Sequence, residues 1–456
     1  MRPQAINIVG AGMAGSLLAV LLAKRGFQVS LYDKRPDPRQ SAAERGRSIN
    51  LALAARGIRA LERAGVMDAV RPLLIEMRGR MIHDLAGDTK LLPYGWKPGE
   101  VIYSIGRAAL TRLLVEVAAR YPNVTLSFNQ TCIGASAMED VLRFRDENGD
   151  DYDVKLTPTI GADGAGSVLR TSFAADGYLQ VREELLDHDY KELTLPPLGF
   201  VPALDMNALH VWPRGGFMLI ALPNTDGSFT ATLFLAKRGA HSFESLATPA
   251  AVSELFAREF ADAVPLIPRL LTEFFENPQG QLGTVHTAPW HVRGQALLLG
   301  DAAHAIVPFH GQGMNAAFED CTTFDELLDH YDDWEPLFAA FDRLRRPNAE
   351  AIAQMALENY VEMRDTVRDP RFERFKALSV ELERRFPDRF IPRYSMVMFH
   401  PEIAYADALH RGKVQEDILA AIDAATPAGA APDFERARFQ IEARLPKLSG
   451  FGLKAD

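Results

Sequence analysis

Cysteine, long apolar runs and basic clusters are all scarce in this sequence of 456 residues. Cys132 and Cys321 are the only cysteines, which argues against a disulfide framework and a cysteine-based metal site and fits a reducing compartment. The longest apolar runs, such as residues 13–23, are too short to span a bilayer. The N-terminal residues have the pattern of a β-strand and lack the charged and apolar regions of a signal peptide. We therefore expect a cytoplasmic protein without a membrane partner.

The charge balance excludes another class of partner. The formal net charge is −10 and no basic run stands out, so nucleic acid is not expected to bind. Hydrophobic residues make up 47% and charged residues 24%, which is typical of a soluble globular protein. The length allows two or three domains. The oligomeric state stays open, with a homodimer among the alternatives.

Periodicity predicts three kinds of structure along the chain. Residues 5–33 follow a strand, glycine turn, helix, strand order, and residues 51–65 and 107–120 have helical patterns. Short runs within 205–235, separated by PRGG and NTDG, predict an antiparallel meander. Residues 294–301 predict a buried parallel strand.

After about residue 315 the pattern is mostly helical, up to an Ala/Pro linker at 424–432. The predicted fold class is α/β, with a Rossmann-like FAD-binding domain, an antiparallel β-sheet substrate domain that interrupts it, and a helical C-terminal domain. The predicted boundaries are 1–75, 100–180 and 280–335 for the first domain, 76–99 and 181–279 for the second, and 336–456 for the third.

The motif GAGMAG indicates a dinucleotide site. Gly10 permits a tight turn, Gly12 lets the backbone approach a pyrophosphate, and Gly15 lets the helix pack closely on the strand. The amides near Ala14 begin a helix and face the phosphates. Asp33 ends the next strand, where it can accept hydrogen bonds from ribose hydroxyls. The alternative is a tight strand–helix turn without a ligand.

Two further segments bear on which dinucleotide binds. Arg47, in ARGRSINLAL, can neutralise phosphate, although a solvated surface arginine is the alternative. GADGAGS at 161–167 places Asp163 in a glycine turn at a strand end. FAD and NAD both fit the GAGMAG motif, so the choice between these two dinucleotides depends on residues 300–315.

That stretch, GDAAHAIVPFHGQGMN, combines an acid, two spaced glycines and a helix start. We expect Asp301 to end a buried strand, where an unpaired carboxylate is costly and a ribityl chain would satisfy it. Gly311 and Gly313 admit a flat ring against the backbone. The amides of Met314 and Asn315 begin a helix whose partial positive charge suits a reduced flavin. The alternative is an ordinary N-cap role for Asp301.

GAGMAG, GADGAG and GDAAHAIVPFHGQGMN, in this order, resemble the single-component FAD-dependent aromatic hydroxylases. RGRSINLAL, MRGRMIHD, LPYG, ALHVWPRG, MALENYVEM and FIPRYSMVMF are similar to segments of the members that hydroxylate L-kynurenine, in their soluble bacterial form. The resemblance runs from about residue 5 to about residue 410. It implies a tightly bound FAD, with contacts from Ala14, Asp33, Lys34, Arg35, Ala52, Arg107, Asp163, Asp301, Met314 and Asn315, and from the backbone of Cys132.

The same resemblance implies that Arg80, Tyr94, Asn359 and Tyr394 hold the amino-acid end of the substrate. Arginine suits a carboxylate because it can donate two parallel, charge-assisted hydrogen bonds. From the residues alone, a surface position for Arg80, satisfied core positions for both tyrosines and a helix–helix hydrogen bond for Asn359 remain open.

An aryl group needs a dry pocket, for which the meander and the flavin segment offer apolar side chains. The candidates are Leu209, Ile220, Leu222, Phe234 and Phe309, with core packing as the alternative. His310 is a candidate general base, although a structural hydrogen bond is favoured, and His304 is expected to be structural.

The reaction that the resemblance implies needs no metal, because the flavin carries the chemistry. NADPH, bound transiently, reduces FAD, and O2 forms a hydroperoxide at flavin C4a that transfers one oxygen to the ring. Two alternatives stay open: a related hydroxylase that acts on another aromatic acid, and a flavin redox sensor with a protein partner.

Overall fold

The computed structural model describes residues 4–40, 50–365, 370–427 and 430–448. Its strands, in chain order, are β1 (Ala5–Val9), β2 (Gln28–Tyr32), β3 (Asn50–Leu53), β4 (Ile75–Met77), β5 (Gly79–His83), β6 (Thr89–Pro93), β7 (Ile102–Gly106), β8 (Val124–Ser127), β9 (Thr131–Ser136), β10 (Val141–Arg145), β11 (Asp151–Lys155), β12 (Thr159–Gly161), β13 (Gln180–Leu195), β14 (Ala208–Pro213), β15 (Met218–Pro223), β16 (Phe229–Ala236), β17 (Gln279–Ala288), β18 (His291–Val292) and β19 (Ala296–Leu298). Its α-helices are α1 (Met13–Lys24), α2 (Ala55–Ala64), α3 (Met67–Val70), α4 (Arg107–Ala118), α5 (Val168–Ala175), α6 (Pro249–Glu259), α7 (Leu270–Glu276), α8 (Asp301–His304), α9 (Gly313–Leu327), α10 (Trp334–Arg364), α11 (Pro370–Arg385), α12 (Arg393–Phe399), α13 (Tyr405–Ala425) and α14 (Phe434–Arg444).

The first large sheet has six strands in the order β18-β19-β12-β1-β2-β8. All neighbours run parallel except β18 and β19. Helix α1 is buried from Gly15 to Ala23 because it packs against β2, α4 and α9. A parallel sheet covered by helices is typical of Rossmann-like nucleotide-binding folds.

The second large sheet has seven strands in the order β17-β13-β16-β15-β14-β5-β6. The predicted meander β14-β15-β16 is antiparallel, and β5 runs parallel to β14 at its edge. Trp212, Phe229 and Phe256 belong to a core between this sheet and helices α6 and α7. Val211 and Phe234 belong to a different core on the opposite face, as strand alternation requires.

Two three-stranded sheets, β3-β7-β4 and β11-β10-β9, complete the β structure of the described residues. Helices α10 to α14 follow α9, and α10 packs against both α9 and α13. The predicted fold class, with its nucleotide-binding, antiparallel and helical parts, is confirmed; the domain boundaries remain a prediction. In the parts of the chain described, we find no helix with the length and apolar character needed to cross a membrane.

Two predictions of local structure were wrong. The predicted helix over 51–65 begins only at Ala55, because Asn50–Leu53 pair with β7 as strand β3. An apolar run of this length fits either structure, and the pairing decides between them. Asp301 does not end a buried strand: β19 ends at Leu298, Gly300 turns the chain with a φ of +60°, and Asp301 begins α8 with an exposed side chain.

Candidate active site

A cleft of about 410 Å³ lies at the carboxyl ends of the parallel strands, which we call the nucleotide cleft. This is where open α/β sheets bind ligands. The predicted residues that line it are Gly10, Gly12, Ala14, Asp33, Lys34, Arg35, Ala52, Arg107, Cys132, Asp163, Asp301, Gly311, Gly313 and Met314. Tyr32 and Gln130 also line it and were missed; a position next to Asp33 is the signal that points to Tyr32.

Three predicted cofactor residues are not among those that line the cleft. A Cβ on Gly15 would lie 1.9 Å from the Gly10 oxygen, so this glycine allows the helix to pack on the turn. Asn315 is fully buried, and its side chain bonds the backbone of Ala54 and Gly311. Arg47 lies outside the described residues, so its role remains a prediction.

The Asp33 carboxylate in this cleft is oriented by hydrogen bonds from Arg35. Its carboxylate accepts hydrogen bonds from the Ala11 amide at 2.7 Å and from the Arg35 guanidinium at 2.9 and 2.7 Å. Burial raises the pKa of Asp33, but the Arg35 guanidinium outweighs burial and the net pKa is lowered. A ribose hydroxyl would therefore meet a carboxylate that stays ionised and is already oriented.

The remaining polar groups of the cleft fit a dinucleotide with a flavin. Within the described part of the chain, one Asp163 oxygen is buried without a hydrogen-bond partner, while the other accepts from the Val168 amide at 2.8 Å. Helices α1 and α9 both begin at the cleft, and no N-cap side chain in the described structure bonds the first amides of either helix. Uncapped amides at helix starts are suited to phosphate and to an electron-rich ring edge.

A second cavity of about 380 Å³, which we call the sheet cavity, lies against the seven-stranded sheet. It shares Ala52, Asp301, Pro308 and Gly311 with the nucleotide cleft. The predicted substrate residues that line it are Arg80, Tyr94, Leu209, Ile220, Leu222, Phe234, Phe309 and Tyr394, and His310 lines it too. The same five side chains also belong to or pack against apolar clusters of the protein, so their contact with a substrate remains a prediction beside the core-packing alternative.

Strand register explains why these side chains meet. Leu209 pairs with Arg80 across β14 and β5, and Ile220 pairs with Thr232 across β15 and β16. Paired residues share one face of a sheet, and alternate residues along a strand return to that face. Thr230 and Thr232 also line the cavity and were missed, although their alternation with Phe234 is a signal that points to them.

Arg80 is buried, so the surface alternative is wrong. Its guanidinium donates to Glu362 at 3.2 Å and to Asn359 at 3.2 Å, and its Cζ lies 5.0 Å from the centre of the Tyr394 ring. Its Nε has no hydrogen-bond partner among the described residues. An oriented arginine with a spare donor can bind a carboxylate.

Asn359 does not line the sheet cavity, and its contact with the substrate remains a prediction. It lines a neighbouring cavity of about 280 Å³, the helical cavity, which is bordered by α10 to α13. Its amide accepts from Arg80 and donates to the Phe309 carbonyl at 2.7 Å. Asn359 therefore orients Arg80. Its bond to Phe309, in the short 3-10 helix Pro308–His310, joins two helices, as the alternative expected.

Three aromatic side chains, Tyr94, His310 and Tyr394, line both the sheet cavity and the helical cavity. Tyr94 stacks on Tyr394 with centroids 5.7 Å apart, and His310 stacks on the same ring at 5.4 Å. The Tyr94 hydroxyl and His310 Nδ1 are buried and have no hydrogen-bond partner among the described residues. Burial lowers the pKa of His310 to about 3 and raises the pKa of Tyr394 to about 12.

His304 is structural, as expected. Its Nε2 lies 2.6 Å from an Asp320 oxygen, and its ring stacks on Trp290.

Comparison with known proteins agrees with this arrangement. The sequence profile described as "FAD binding domain" matches residues 3–356. The chain is 47% identical over 449 residues to kynurenine 3-monooxygenase from Stenotrophomonas maltophilia (strain K279a), covering 98% of both chains. It is 46% identical over 454 residues to kynurenine 3-monooxygenase from Xanthomonas oryzae pv. oryzae (strain KACC10331 / KXO85), covering 99% of both.

Solved structures share the fold at low identity. The tetrameric form of 2-methyl-3-hydroxypyridine-5-carboxylic acid oxygenase superposes with a TM-score of 0.63 at 20% identity, over 81% of this chain and 95% of its own. PqsL from P. aeruginosa, in complex with 2-aminobenzoylacetate, gives 0.64 at 19% identity, over 79% and 96%. The match of the FAD-binding profile, together with 46–47% identity along nearly the whole chain, shows that the chain belongs to the kynurenine 3-monooxygenase family of FAD-binding proteins.

Proposed function

We propose that this protein is an FAD-dependent monooxygenase that uses NADPH and O2 to hydroxylate L-kynurenine to 3-hydroxy-L-kynurenine. The observation that carries the proposal is the junction of the nucleotide cleft and the sheet cavity at Ala52, Asp301, Pro308 and Gly311. A flavin ring bound at this junction would be next to an aromatic ligand in the sheet cavity. The reaction consumes NADPH, a proton and O2, and yields NADP⁺, water and the hydroxylated ring.

The residues of the nucleotide cleft hold the cofactor in this proposal. Gly12 and the start of α1 bind the pyrophosphate, Asp33 the adenosine ribose and Asp301 the ribityl chain. The start of α9, where Gly313 and Met314 line the cleft, would hold the flavin ring. When bound, FAD supplies the electron transfer and the activation of O2, and the protein's own task is to position the substrate and exclude water.

The sheet cavity orients the substrate. Arg80 and Tyr94 bind the carboxylate with the donors that have no partner in the described residues. Leu209, Ile220 and Phe234 enclose the aryl group. The aniline nitrogen activates its own ring, so no general base is needed. The pKa of His310, about 3, agrees with the absence of a general base, because the imidazole of His310 does not titrate near neutral pH.

A cytoplasmic location is part of the proposal. Its support is that Cys132 and Cys321 are both buried and unpaired, which suits a reducing compartment.

The test is NADPH oxidation by the purified protein in air, with and without L-kynurenine, with product identification by chromatography. We expect strong stimulation and formation of 3-hydroxy-L-kynurenine. Stimulation that yields only hydrogen peroxide would show that kynurenine is an effector and that another aromatic acid is the substrate. No stimulation would contradict the proposal and favour a redox sensor.

A further inference from the structure

Gln312 is a fully buried polar side chain between Gly311 and Gly313, the two glycines that border the nucleotide cleft. Among the described residues that line the cleft, the sheet cavity or the helical cavity, Gln312 is absent. It occupies the N-cap position of α9, but its side chain makes no capping hydrogen bond. The amide must therefore satisfy its polar atoms elsewhere.

Both polar atoms of the Gln312 side chain bind the helical part of the protein. Its Oε1 accepts a hydrogen bond from the Tyr405 hydroxyl at 2.7 Å, and its Nε2 donates to Met398 Sδ at 3.0 Å. Met398 follows Tyr394 by one helical turn on α12, and both line the sheet cavity. One amide thus connects residues 311–313, which we call the glycine segment, to α12 and α13.

Tyr405 is itself firmly held. It is fully buried at the start of α13, and the Arg56 guanidinium lies 4.0 Å from the centre of its ring. That guanidinium donates to Glu319 on α9 at 2.9 Å and to the Ile403 carbonyl at 2.5 Å. The Tyr405 hydroxyl therefore stays directed at Gln312.

The opposite side of the glycine segment has its own anchor. Asn315 donates to the Gly311 carbonyl at 2.9 Å and to the Ala52 carbonyl at 2.8 Å. The segment is thus fixed to the FAD-binding side by Asn315 and to the helical side by Tyr405. Because glycines allow many backbone conformations, its position depends on these anchors.

We propose that Tyr405 is a positioning residue. It acts through Gln312 to fix the position of the glycine segment relative to α12, so that NADPH oxidation is coupled to hydroxylation. The inference rests on the proposed function. It concerns a contact between two buried residues, Tyr405 and Gln312, neither of which lines the nucleotide cleft or the sheet cavity. Loss of the contact lets the segment shift away from the cofactor, so that water enters and peroxide forms in place of product.

The first test compares Tyr405→Phe with the wild-type holoenzyme. The substitution removes only a hydroxyl and keeps the ring that packs on Arg56. We expect the 3-hydroxykynurenine formed per NADPH oxidised to fall by about tenfold, equivalent to about 1.4 kcal/mol, with peroxide making up the difference and KM for L-kynurenine unchanged. Iodide quenching of the bound flavin's fluorescence should rise, which reports the shift without turnover. Tyr121→Phe, at a partly buried tyrosine outside both cavities, is the matched control.

A double-mutant cycle shows whether Tyr405 acts through Gln312. Gln312→Met removes the accepting amide at similar volume and should lower the product ratio as Tyr405→Phe does. In the Gln312→Met background, Tyr405→Phe should then have no further effect, because the two changes break the same contact. Gln312→Met also keeps the proposal testable if Tyr405→Phe does not fold.

The outcomes separate this inference from the proposed function. If the wild-type protein forms no 3-hydroxykynurenine, the proposed function fails. If the wild type is active while Tyr405→Phe and Gln312→Met retain its product ratio and iodide quenching, only the positioning role is overturned. Additive effects in the cycle would also overturn it, because they would mean that the two residues act separately.

Discussion

Arg80 on β5 donates a hydrogen bond over 3.2 Å to the side-chain oxygen of Asn359 on α10, 279 positions later in the chain. The same Asn359 amide donates to the Phe309 carbonyl, so one side chain fixes both the arginine and the segment that leads to the nucleotide cleft. Arg80 is thereby oriented before a ligand arrives, which reduces the entropy lost on binding.

Arg80→Ala should raise KM for L-kynurenine about 10- to 100-fold, because a charge-assisted hydrogen bond contributes about 1.5–3 kcal/mol. FAD content should stay the same, since Arg80 lines the sheet cavity and does not line the nucleotide cleft. Steady-state kinetics and the flavin spectrum measure both. Arg78→Ala is the control, at a side chain that is 65% exposed. An unchanged KM would remove Arg80 from the substrate site.

Gly12→Val should weaken FAD binding by at least about tenfold, or about 1.4 kcal/mol, because its side chain would occupy the space left for the pyrophosphate. A Cβ on Gly12 meets no atom closer than 4.0 Å, and its φ of −72° and ψ of −173° suit valine, so the fold should tolerate the change. Fluorescence titration with FAD gives the Kd. Gly134→Val is the control, at an open position on β9. Wild-type FAD affinity would contradict the assignment of the cleft.

Asn315→Ala should lower the free energy of unfolding by about 3 kcal/mol, because it leaves buried backbone groups without partners. These groups are the Ala54 amide and the carbonyls of Ala52 and Gly311. Urea denaturation without FAD isolates the effect on folding. Asn148→Ala, in an exposed turn, should change stability little. A similar small loss for Asn315→Ala would show that the anchor is weak.

His310 should make stability depend on pH. Its pKa is lowered by burial from 6.5 to about 3, so between these values the unfolded chain binds more protons than the folded one. The free energy of unfolding should therefore fall as pH decreases below 6.5, by up to about 1.4 kcal/mol per pH unit from this group. Urea denaturation of the holoenzyme at pH 7 and pH 5 should show a smaller fall for His310→Gln.

The exposed His330→Gln provides the control for this titration. Equal pH dependence in wild type and His310→Gln would mean that His310 is not buried in a neutral form.

Local patterns were sufficient for the parts of the molecule that depend on neighbours in sequence. The glycine turn before α1, the meander β14-β15-β16 and the helix start at Gly313 were predicted, because backbone conformation at glycines and alternation along strands are local properties. Together with the motif order they also indicated FAD and the family.

Only the tertiary structure decided which side chains are buried and what they face. Arg80 is buried because β5 joins the meander at β14, and no pattern near residue 80 specifies that pairing. Asp301 faces a cleft and not a core because Gly300 turns the chain after β19. Strand β3 replaced a predicted helical turn because the distant strand β7 supplies its hydrogen bonds, with Asn50 paired to Gly106 and Leu53 paired to Tyr103. Such contacts form between distant segments, and their energy outweighs local propensity.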